Sequence, residues 1–160
     1  GQGATFTITL NAIETSLLDG PATYLAGELA ESIGSEILLV EDHDDTARVL
    51  RRILTKSGHR VGLARSLGEA RALAAERRFD LVISDLGLPD GSGLELMQHL
   101  SANYGLRGIA LSGFGTDEDL AASRAAGFSV HLTKPVDWER LKEAIANLTS
   151  RLESLPFDDR

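Results

Sequence analysis

From Glu36 onward, short runs of apolar residues alternate with longer segments in which apolar residues recur at helical spacing. Five of these runs have the length of a strand, and they lie near positions 37, 60, 81, 108 and 130. Strands that alternate with helical segments are typical of a parallel sheet covered by helices. The pattern therefore predicts an α/β domain built from five strand–helix units.

The first three units contain the clearest local signals. A helix is predicted over about 44–56, and its inner face is formed by Val49, Leu50, Ile53 and Leu54. Ser66 followed three residues later by Glu69 predicts a capping box at the start of the second helix. The third strand, at 81–83, runs into a Gly/Pro-rich loop over 86–93, so a buried strand is expected to meet a long loop there.

The two ends of the chain are less regular. Residues 5–10 predict a lone strand, which cannot be stable by itself, and residues 11–35 have the composition of a linker. At the other end, apolar residues from Trp138 to Leu152 recur at spacings of 3 and 4. This stripe could form a short coiled-coil seam, but docking of the last helix on the sheet is the favoured interpretation.

The net charge of -8 is concentrated at the amino-terminal side. The first basic residue is Arg48, and nine acidic residues precede it, so the remaining chain has 24 − 9 = 15 acidic residues against 16 basic ones. Such a chain is repelled by phosphate backbones, which argues against a nucleic-acid partner. The chain has no cysteine, which excludes disulfides and Cys-ligated zinc and fits the reducing cytoplasm.

Chemically useful side chains follow four of the predicted strands. Glu41 and Asp42 follow the first strand, Asp85 the third, Ser112 the fourth and Lys134 the fifth. In an open parallel sheet, ligands bind outside the carboxyl ends of the strands. Carboxylate oxygens suit Mg²⁺, while an ammonium and a hydroxyl can bind a phosphoryl group. Asp85 could then act as the nucleophile, because a carboxylate can form an aspartyl phosphate.

Taken singly, each of these residues has an ordinary structural interpretation. Acids after strand ends often cap helices, and Asp85 could simply open the turn at 88–91. Ser112 could be a loop hydroxyl, and Lys134 a surface lysine. Their joint placement on four strands favours a site.

Other kinds of site fit less well. The acids of 42–45 could begin a calcium loop, but Ala47 and Ile53 stand where that loop needs its glycine and its glutamate. Neither Ser92 nor Ser112 lies in a G-x-S-x-G motif, so a serine hydrolase is not expected. The sequence has no dinucleotide-binding or P-loop motif, and its four histidines lack metal-ligand spacing.

Four segments in this order resemble the receiver domain of two-component signalling, over about residues 36–155. They are EILLVED at 36–42, SDLGLPDG at 84–91, ALSG at 110–113 and LTKP at 132–135. The resemblance implies a flavodoxin-like, doubly wound five-stranded parallel sheet with strand order 2-1-3-4-5 and helices on both faces.

The resemblance also implies a role for each acid. Asp85 would accept a phosphoryl group from a phosphohistidine of a kinase. Mg²⁺ would be held by Asp42, Asp85 and the backbone carbonyl of Gly87, with Glu41 acting through a water molecule.

Three further residues have implied roles. Ser112 and Lys134 would bind the new phosphoryl group, and a cis Lys134–Pro135 bond would aim the lysine into the site. Ser112 would also move toward the phosphoryl group while the residue at position 131 turns inward. Such domains more often have Tyr or Phe where this chain has His131, so a Ser112–His131 switch and a merely packed imidazole are equally supported.

The head of the chain has its own resemblance. Residues 1–10 are similar to the last strand of a histidine-kinase ATP-binding domain, which ends in a Gly-x-Gly-[Ser/Thr/Ala]-x-Phe strand. This order implies a hybrid histidine kinase, with an acidic linker over 11–35, a receiver domain over 36–155 and a short tail over 156–160.

The implied partners are proteins. The donor would be the phosphohistidine domain of a histidine kinase in the same parent chain, and the onward acceptor a histidine phosphotransfer protein. That protein would dock near Arg48, Arg51 and Arg52, although a solvated helix face explains these arginines equally well. No nucleic acid and no direct membrane contact are expected, and the location is expected to be cytoplasmic, with or without a membrane anchor on the parent kinase.

Three functional hypotheses follow. In the first, the domain is a phosphoacceptor that relays the group or uses it as a conformational switch, catalysing only its own phosphorylation and slow dephosphorylation. In the second, it is a regulatory docking module that restrains the attached kinase. The third, an aspartyl-phosphate hydrolase, is disfavoured because Gly87 stands where such enzymes have the second acid of Asp-x-Asp.

Overall fold

The computed structural model describes residues 34–150. The seven strands are β1 Glu36–Val40, β2 Arg60–Ala64, β3 Leu81–Asp85, β4 Gly87–Leu88, β5 Gly91–Ser92, β6 Arg107–Ser112 and β7 Phe128–Thr133. The five helices are α1 Asp44–Lys56, α2 Leu67–Glu76, α3 Gly93–Tyr104, α4 Asp117–Ala126 and α5 Trp138–Ser150.

Five of the strands form one parallel sheet in the order β2-β1-β3-β6-β7. Counting only these strands along the chain gives the order 2-1-3-4-5, so the predicted flavodoxin-like topology is confirmed. The two-residue strands β4 and β5 pair antiparallel within the loop that follows β3. This small hairpin lies where the sequence predicted only a Gly/Pro-rich loop.

The sheet is buried on both faces because alternate residues of each strand point to opposite sides. Leu38 and Val40 of β1 belong to the core cluster under α2, α3 and α4. Ile37 and Leu39 belong to the cluster under α1 and α5. Since α5 contributes Leu141, Ile145 and Leu148 to that cluster, its predicted docking on the sheet is confirmed for the described part of the helix.

One predicted inner-face residue is misplaced. Val49 is 55% exposed, whereas Ala47, Leu50 and Leu54 are buried. The spacing 47, 50, 54 follows a single helix face, and Val49 lies about 200° around the helix from Ala47, since each residue turns the helix by about 100°. The prediction was wrong at Val49 because residue type alone does not show which side of the helix meets the sheet.

The predicted capping box is only half formed at Ser66. The Ser66 hydroxyl accepts from the Glu69 N–H, but the Glu69 carboxylate accepts from the N–H of Arg65 instead of that of Ser66. A complete capping box forms at Thr116 and Asp119 at the start of α4. The sequence therefore predicts where a helix begins more reliably than it predicts the hydrogen bonds of its cap.

Several predictions lie outside the described residues. These are the kinase-like strand at 1–10, almost all of the linker at 11–35, and the tail at 156–160. Residues 36–150 of the predicted receiver domain are described. None of the five helices in this part of the chain is both long and apolar enough to cross a membrane.

Candidate functional site at the carboxyl edge of the sheet

The predicted site residues come from four strands whose carboxyl ends lie side by side. Val40 pairs with Ser84, Asp85 with Leu111, and Ser112 with Thr133. This register places Glu41, Asp85, Ser112 and Lys134 at the same edge of the sheet. Glu41 is completely buried, and Asp85 and Ser112 are 8% and 7% exposed.

Lys134 joins the two most buried acids of the site. Its Nζ donates to Asp85 Oδ2 at 2.7 Å and to Glu41 Oε2 at 2.8 Å. Burial alone would lower the pKa of Lys134, but the hydrogen bonds to Asp85 and Glu41 and the attraction of their charges outweigh it, so the pKa is raised. The lysine is therefore held as a cation beside Asp85, and the Lys134–Pro135 bond is cis as predicted.

The acids at this edge outnumber the lysine. Glu41, Asp42 and Asp85 place carboxylate oxygens within 4.8 Å of one another. Three carboxylates against one ammonium leave an excess of two negative charges. Asp42 Oδ1 is buried and accepts no well-aligned hydrogen bond from the described residues, although His43 Nδ1 lies 3.0 Å from it. Hard oxygen ligands and an excess of two negative charges fit a divalent cation such as Mg²⁺.

The loop after β3 shapes the surroundings of Asp85. The Gly87 N–H donates to Asp85 Oδ1 at 3.1 Å, and the predicted role of the Gly87 carbonyl as a metal ligand stays a prediction. Gly93, at the start of α3, packs so closely that a Cβ there would lie 2.2 Å from the Asp85 carbonyl oxygen. The loop is also fixed to α2, because the Asp90 carboxylate accepts from Leu67 N–H at 2.7 Å and Gly68 N–H at 2.9 Å.

His43 also belongs to the cluster, although the sequence analysis set the histidines aside. Its Nδ1 lies 3.0 Å from Asp42 Oδ1 and 3.2 Å from Glu41 Oε1, and it is grouped with the three acids as a candidate ligand. The hydrogen bond to Glu41, followed by the charges of Asp42 and Glu41, raises the pKa of His43. Its position directly after the Glu41–Asp42 pair was the available signal.

Ser112 and His131 are in contact, as the switch hypothesis requires. Ser112 Oγ lies 2.8 Å from His131 Nε2, and the Ser112 hydroxyl also donates to the backbone oxygen of Phe114. The other imidazole nitrogen, Nδ1, lies 2.8 Å from Ser123 Oγ. Ser123 was missed by sequence reasoning, because no local pattern connects a serine in helix α4 with a histidine in strand β7.

The predicted docking arginines lie on the exposed side of α1. Arg48, Arg51 and Arg52 are exposed, and together with Lys56 and Arg65 they line a groove between α1 and Leu63 of β2. Val49 is exposed on the same helix. Arg65 pairs with Asp44, but Arg48, Arg51 and Arg52 have no acidic partner among residues 34–150.

Comparison with known proteins identifies the relatives of this chain. The family model "Response regulator receiver domain" matches residues 37–146. The chain is 34% identical to the sensor histidine kinase AruS of Pseudomonas aeruginosa, over 99% of this chain and 16% of AruS. It is 34% identical to the response regulator protein PilR of the same organism, over 77% of this chain and 29% of PilR. It is 32% identical to the polar-differentiation response regulator DivK of Brucella anthropi, over 68% of this chain and 91% of DivK.

Solved structures give the same result. A CheY-like receiver domain from Methanospirillum hungatei superposes with a TM-score of 0.70 at 29% identity, covering 75% of this chain and 97% of that one. The receiver domain of a signal transduction histidine kinase from Syntrophus aciditrophicus superposes with a TM-score of 0.69 at 28% identity, covering 79% and 98%. The chain spans less than a third of the length of AruS and PilR.

Proposed function

Because the chain belongs to the response regulator receiver domain family of two-component systems, we propose that it accepts a phosphoryl group on Asp85 from a phosphohistidine. The observation that supports this proposal most directly is the pairing of Asp85 with Lys134. A nearly buried carboxylate at the carboxyl end of the central strand β3 receives a lysine Nζ at 2.7 Å and a backbone N–H at 3.1 Å.

The proposed transfer balances without any further reactant. An oxygen of Asp85 attacks phosphorus and forms a P–O bond, while the P–N bond to the donor imidazole breaks and leaves its electron pair on that nitrogen. Lys134 lies on Asp85 Oδ2 and would neutralise the incoming phosphoryl oxygens. Ser112 would donate a hydrogen bond to another of these oxygens.

Mg²⁺ is the proposed cofactor, held by Asp42, Asp85 and the Gly87 carbonyl, with Glu41 acting through water. The bound cation would supply charge that offsets the repulsion between an anionic nucleophile and an anionic donor. Glu41 also accepts a hydrogen bond from the Lys134 Nζ that donates to Asp85, so it positions the lysine. The excess of two negative charges at this edge supports a divalent ion.

We propose that the parent protein is a hybrid histidine kinase and that its phosphoryl group passes to a histidine phosphotransfer protein. The similarity to AruS over 99% of this chain supports this origin. The exposed arginines of α1 and exposed Val49 support a docking face for a partner with an acidic surface and an apolar contact. A solvated helix face is the alternative for these arginines, and the cytoplasmic location stays a prediction.

The acceptor is tested by intact mass after incubation with acetyl phosphate and Mg²⁺. The wild type should gain one phosphoryl group, Asp85→Asn should gain none, and a chelator should abolish the gain. Asp117→Asn is a matched control, because Asp117 is an exposed acid in the first turn of α4. No gain in the wild type under conditions where Mg²⁺ binds would contradict the proposal and favour a regulatory docking module.

The docking face is tested with a phosphorylated histidine phosphotransfer protein as the donor. Reversing charge at Arg48 and Arg52 with Glu should slow phosphorylation by this protein donor at least several-fold and leave phosphorylation by acetyl phosphate unchanged. Equal rates with the protein donor would assign the arginines to a solvated face. Kinase output of the parent with and without residues 36–160, and with Asp85→Asn, separates relay from restraint.

A further inference from the structure

Ser112 and His131 are part of a hydrogen-bonded chain that begins on helix α4. Ser123 Oγ lies 2.8 Å from His131 Nδ1, and His131 Nε2 lies 2.8 Å from Ser112 Oγ. Ser123 is 1% exposed, and within the described part of the chain its hydroxyl contacts no other hydrogen-bond partner than this imidazole. A buried hydroxyl requires a partner, so the contact with His131 satisfies Ser123.

The direction of each hydrogen bond follows from the last one in the chain. The Phe114 carbonyl oxygen carries no hydrogen, so the Ser112 hydroxyl must donate its single proton to it. Ser112 Oγ must then accept from His131, which makes Nε2 the protonated nitrogen. A neutral imidazole has one N–H, so Nδ1 accepts from the Ser123 hydroxyl. The donors therefore run from Ser123 to His131 to Ser112 to Phe114.

This order places Ser112 in a state that cannot bind a phosphoryl group. A phosphoryl oxygen only accepts hydrogen bonds, whereas the Ser112 proton is directed to the Phe114 carbonyl. Ser112 must therefore redirect its proton before it can bind a phosphoryl group on Asp85. While His131 Nε2–H donates to a lone pair of Ser112 Oγ, it holds the hydroxyl in the orientation in which Ser112 donates to the Phe114 carbonyl.

We propose that Ser123 is a positioning residue which, through His131, keeps the Ser112 hydroxyl turned away from the phosphoryl site in the unphosphorylated protein. The inference rests on the proposed function, because it assumes that Ser112 binds the phosphoryl group on Asp85. Ser123 acts on Ser112 by fixing the orientation of the His131 ring, while the tautomer is set by Ser112 and the Phe114 carbonyl.

The same chain of hydrogen bonds connects the site to helix α4. Ser123 and Ala126 are the two buried residues of α4, and the Ser123–His131 contact connects this helix to β7. When Ser112 turns toward a phosphoryl group, His131 loses the acceptor at Nε2. The imidazole is then free to reorient, and the hydrogen bond to Ser123 transmits this reorientation to helix α4.

The first test measures the affinity of the domain, with Mg²⁺ present, for beryllium trifluoride, an unreactive phosphoryl analogue. Ser123→Ala removes the restraint on Ser112, so the analogue should bind about two- to tenfold more tightly, as expected for loss of one hydrogen bond in the unliganded state. In a Ser112→Ala background, Ser123→Ala should have no effect. Ser129→Ala is the matched control, because Ser129 is an exposed serine on β7 two residues from His131.

The second test reads the imidazole directly in the resting protein. The ¹⁵N spectrum of His131 should show the Nε2–H tautomer in the wild type. NMR relaxation of the His131 ring should show one orientation in the wild type, several in Ser123→Ala and one again in Ser123→Thr. A serine that only fills space would leave the ring orientation unchanged when replaced by alanine. If Ser123→Ala proves too unstable to study, His131→Phe breaks the same chain and should tighten binding in the same way.

The outcomes separate this inference from the proposed function. Wild-type affinity in Ser123→Ala, or an equal effect of Ser123→Ala with and without Ser112, would overturn the positioning role and leave Asp85 as the acceptor. Absence of beryllium trifluoride binding by the wild type and every variant would overturn the proposed function, and the positioning role with it.

Discussion

A glutamate lies at each end of strand β1, and the two glutamates differ in burial and in the charges around them. At the amino end, the Glu36 side chain is 26% exposed, pairs with Arg60 and lies 3.6 Å from Arg77, and its backbone N–H donates to Asp80. At the carboxyl end, Glu41 is completely buried and shares the single ammonium of Lys134 with Asp85. Both ends contain clusters of charge, but only one of them is balanced.

The difference shows which property of a charged cluster points to chemistry. Glu36 pairs with Arg60 and lies near Arg77, and such partly exposed pairs contribute little to stability. Asp80 accepts from the Glu36 N–H, so this end has two acids and two arginines. At the carboxyl end, three carboxylates meet one lysine. Burial together with an excess of negative charge, more than the number of charged groups, marks the end where a cation and a phosphoryl group would bind.

The largest expected difference between the two ends concerns removal of a cation. Lys134→Met leaves Glu41 and Asp85 close together without their shared ammonium, and we expect the free energy of unfolding to fall by about 2–3 kcal/mol. This is less than for a fully buried pair, because the Lys134 side chain is 26% exposed. Arg60→Met at the amino end should cost less than about 0.5 kcal/mol. Urea denaturation at pH 7 with chelator present measures both, and equal losses would refute the contrast.

The next effect is the response to a divalent cation. Mg²⁺ at ten times its dissociation constant should raise the free energy of unfolding by about 1.4 kcal/mol, because it binds the folded state. Asp42→Asn removes one carboxylate and should reduce this response, whereas Glu36→Gln at the amino end should leave it unchanged. Thermal unfolding with Mg²⁺ and with chelator provides the measurement. An undiminished response in Asp42→Asn would show that the cation binds elsewhere.

The smallest expected effect concerns how the free energy of unfolding depends on pH, because His59 and His43 should contribute with opposite signs. Burial lowers the pKa of His59, at the amino end, below its usual 6.5, whereas the hydrogen bond to Glu41 raises the pKa of His43, at the carboxyl end. His59 therefore contributes stability above about pH 6.5 that is lost as the pH falls through its folded pKa. His43 contributes stability below about pH 6.5 that is lost as the pH rises through its folded pKa.

Single substitutions can separate these two contributions. His59→Gln should reduce the loss of stability between pH 7.5 and pH 5.5, and His43→Gln should increase it. Denaturation of the two variants and the wild type at both pH values, with chelator present, tests this. Changes of the same sign in both variants would show that the two imidazoles do not differ as described.

Much of the site was predictable because parallel strands end at the same edge of a sheet. Asp42, Asp85, Ser112 and Lys134 each follow an apolar run, and any fold that makes those runs parallel neighbours brings these side chains together. The chemistry of these residue types, taken together, predicts the site from the sequence alone. The resemblance of four short segments to one family made the strand order predictable as well.

The contacts within the site were not predictable in the same way. The sequence assigned Lys134 to the phosphoryl group, whereas the structure shows it bridging Glu41 and Asp85, which lie 93 and 49 residues away along the chain. His43 was set aside because histidine spacing along the chain was the only available criterion. The exposure of Val49 depends on which side of the helix meets the sheet. Helix propensities differ by only a few tenths of a kcal/mol between residue types and do not determine that side.

By itself the sequence determined the alternation of strands and helices, the polar residues at the strand ends and the family, because these depend on local periodicity and on short motifs. Only the tertiary structure decided the chain from Ser123 through His131 to Ser112 and the imbalance of charge around Lys134. Hydrogen bonds and ion pairs act over about 3 Å, and which side chains approach that closely depends on how separate elements pack against one another.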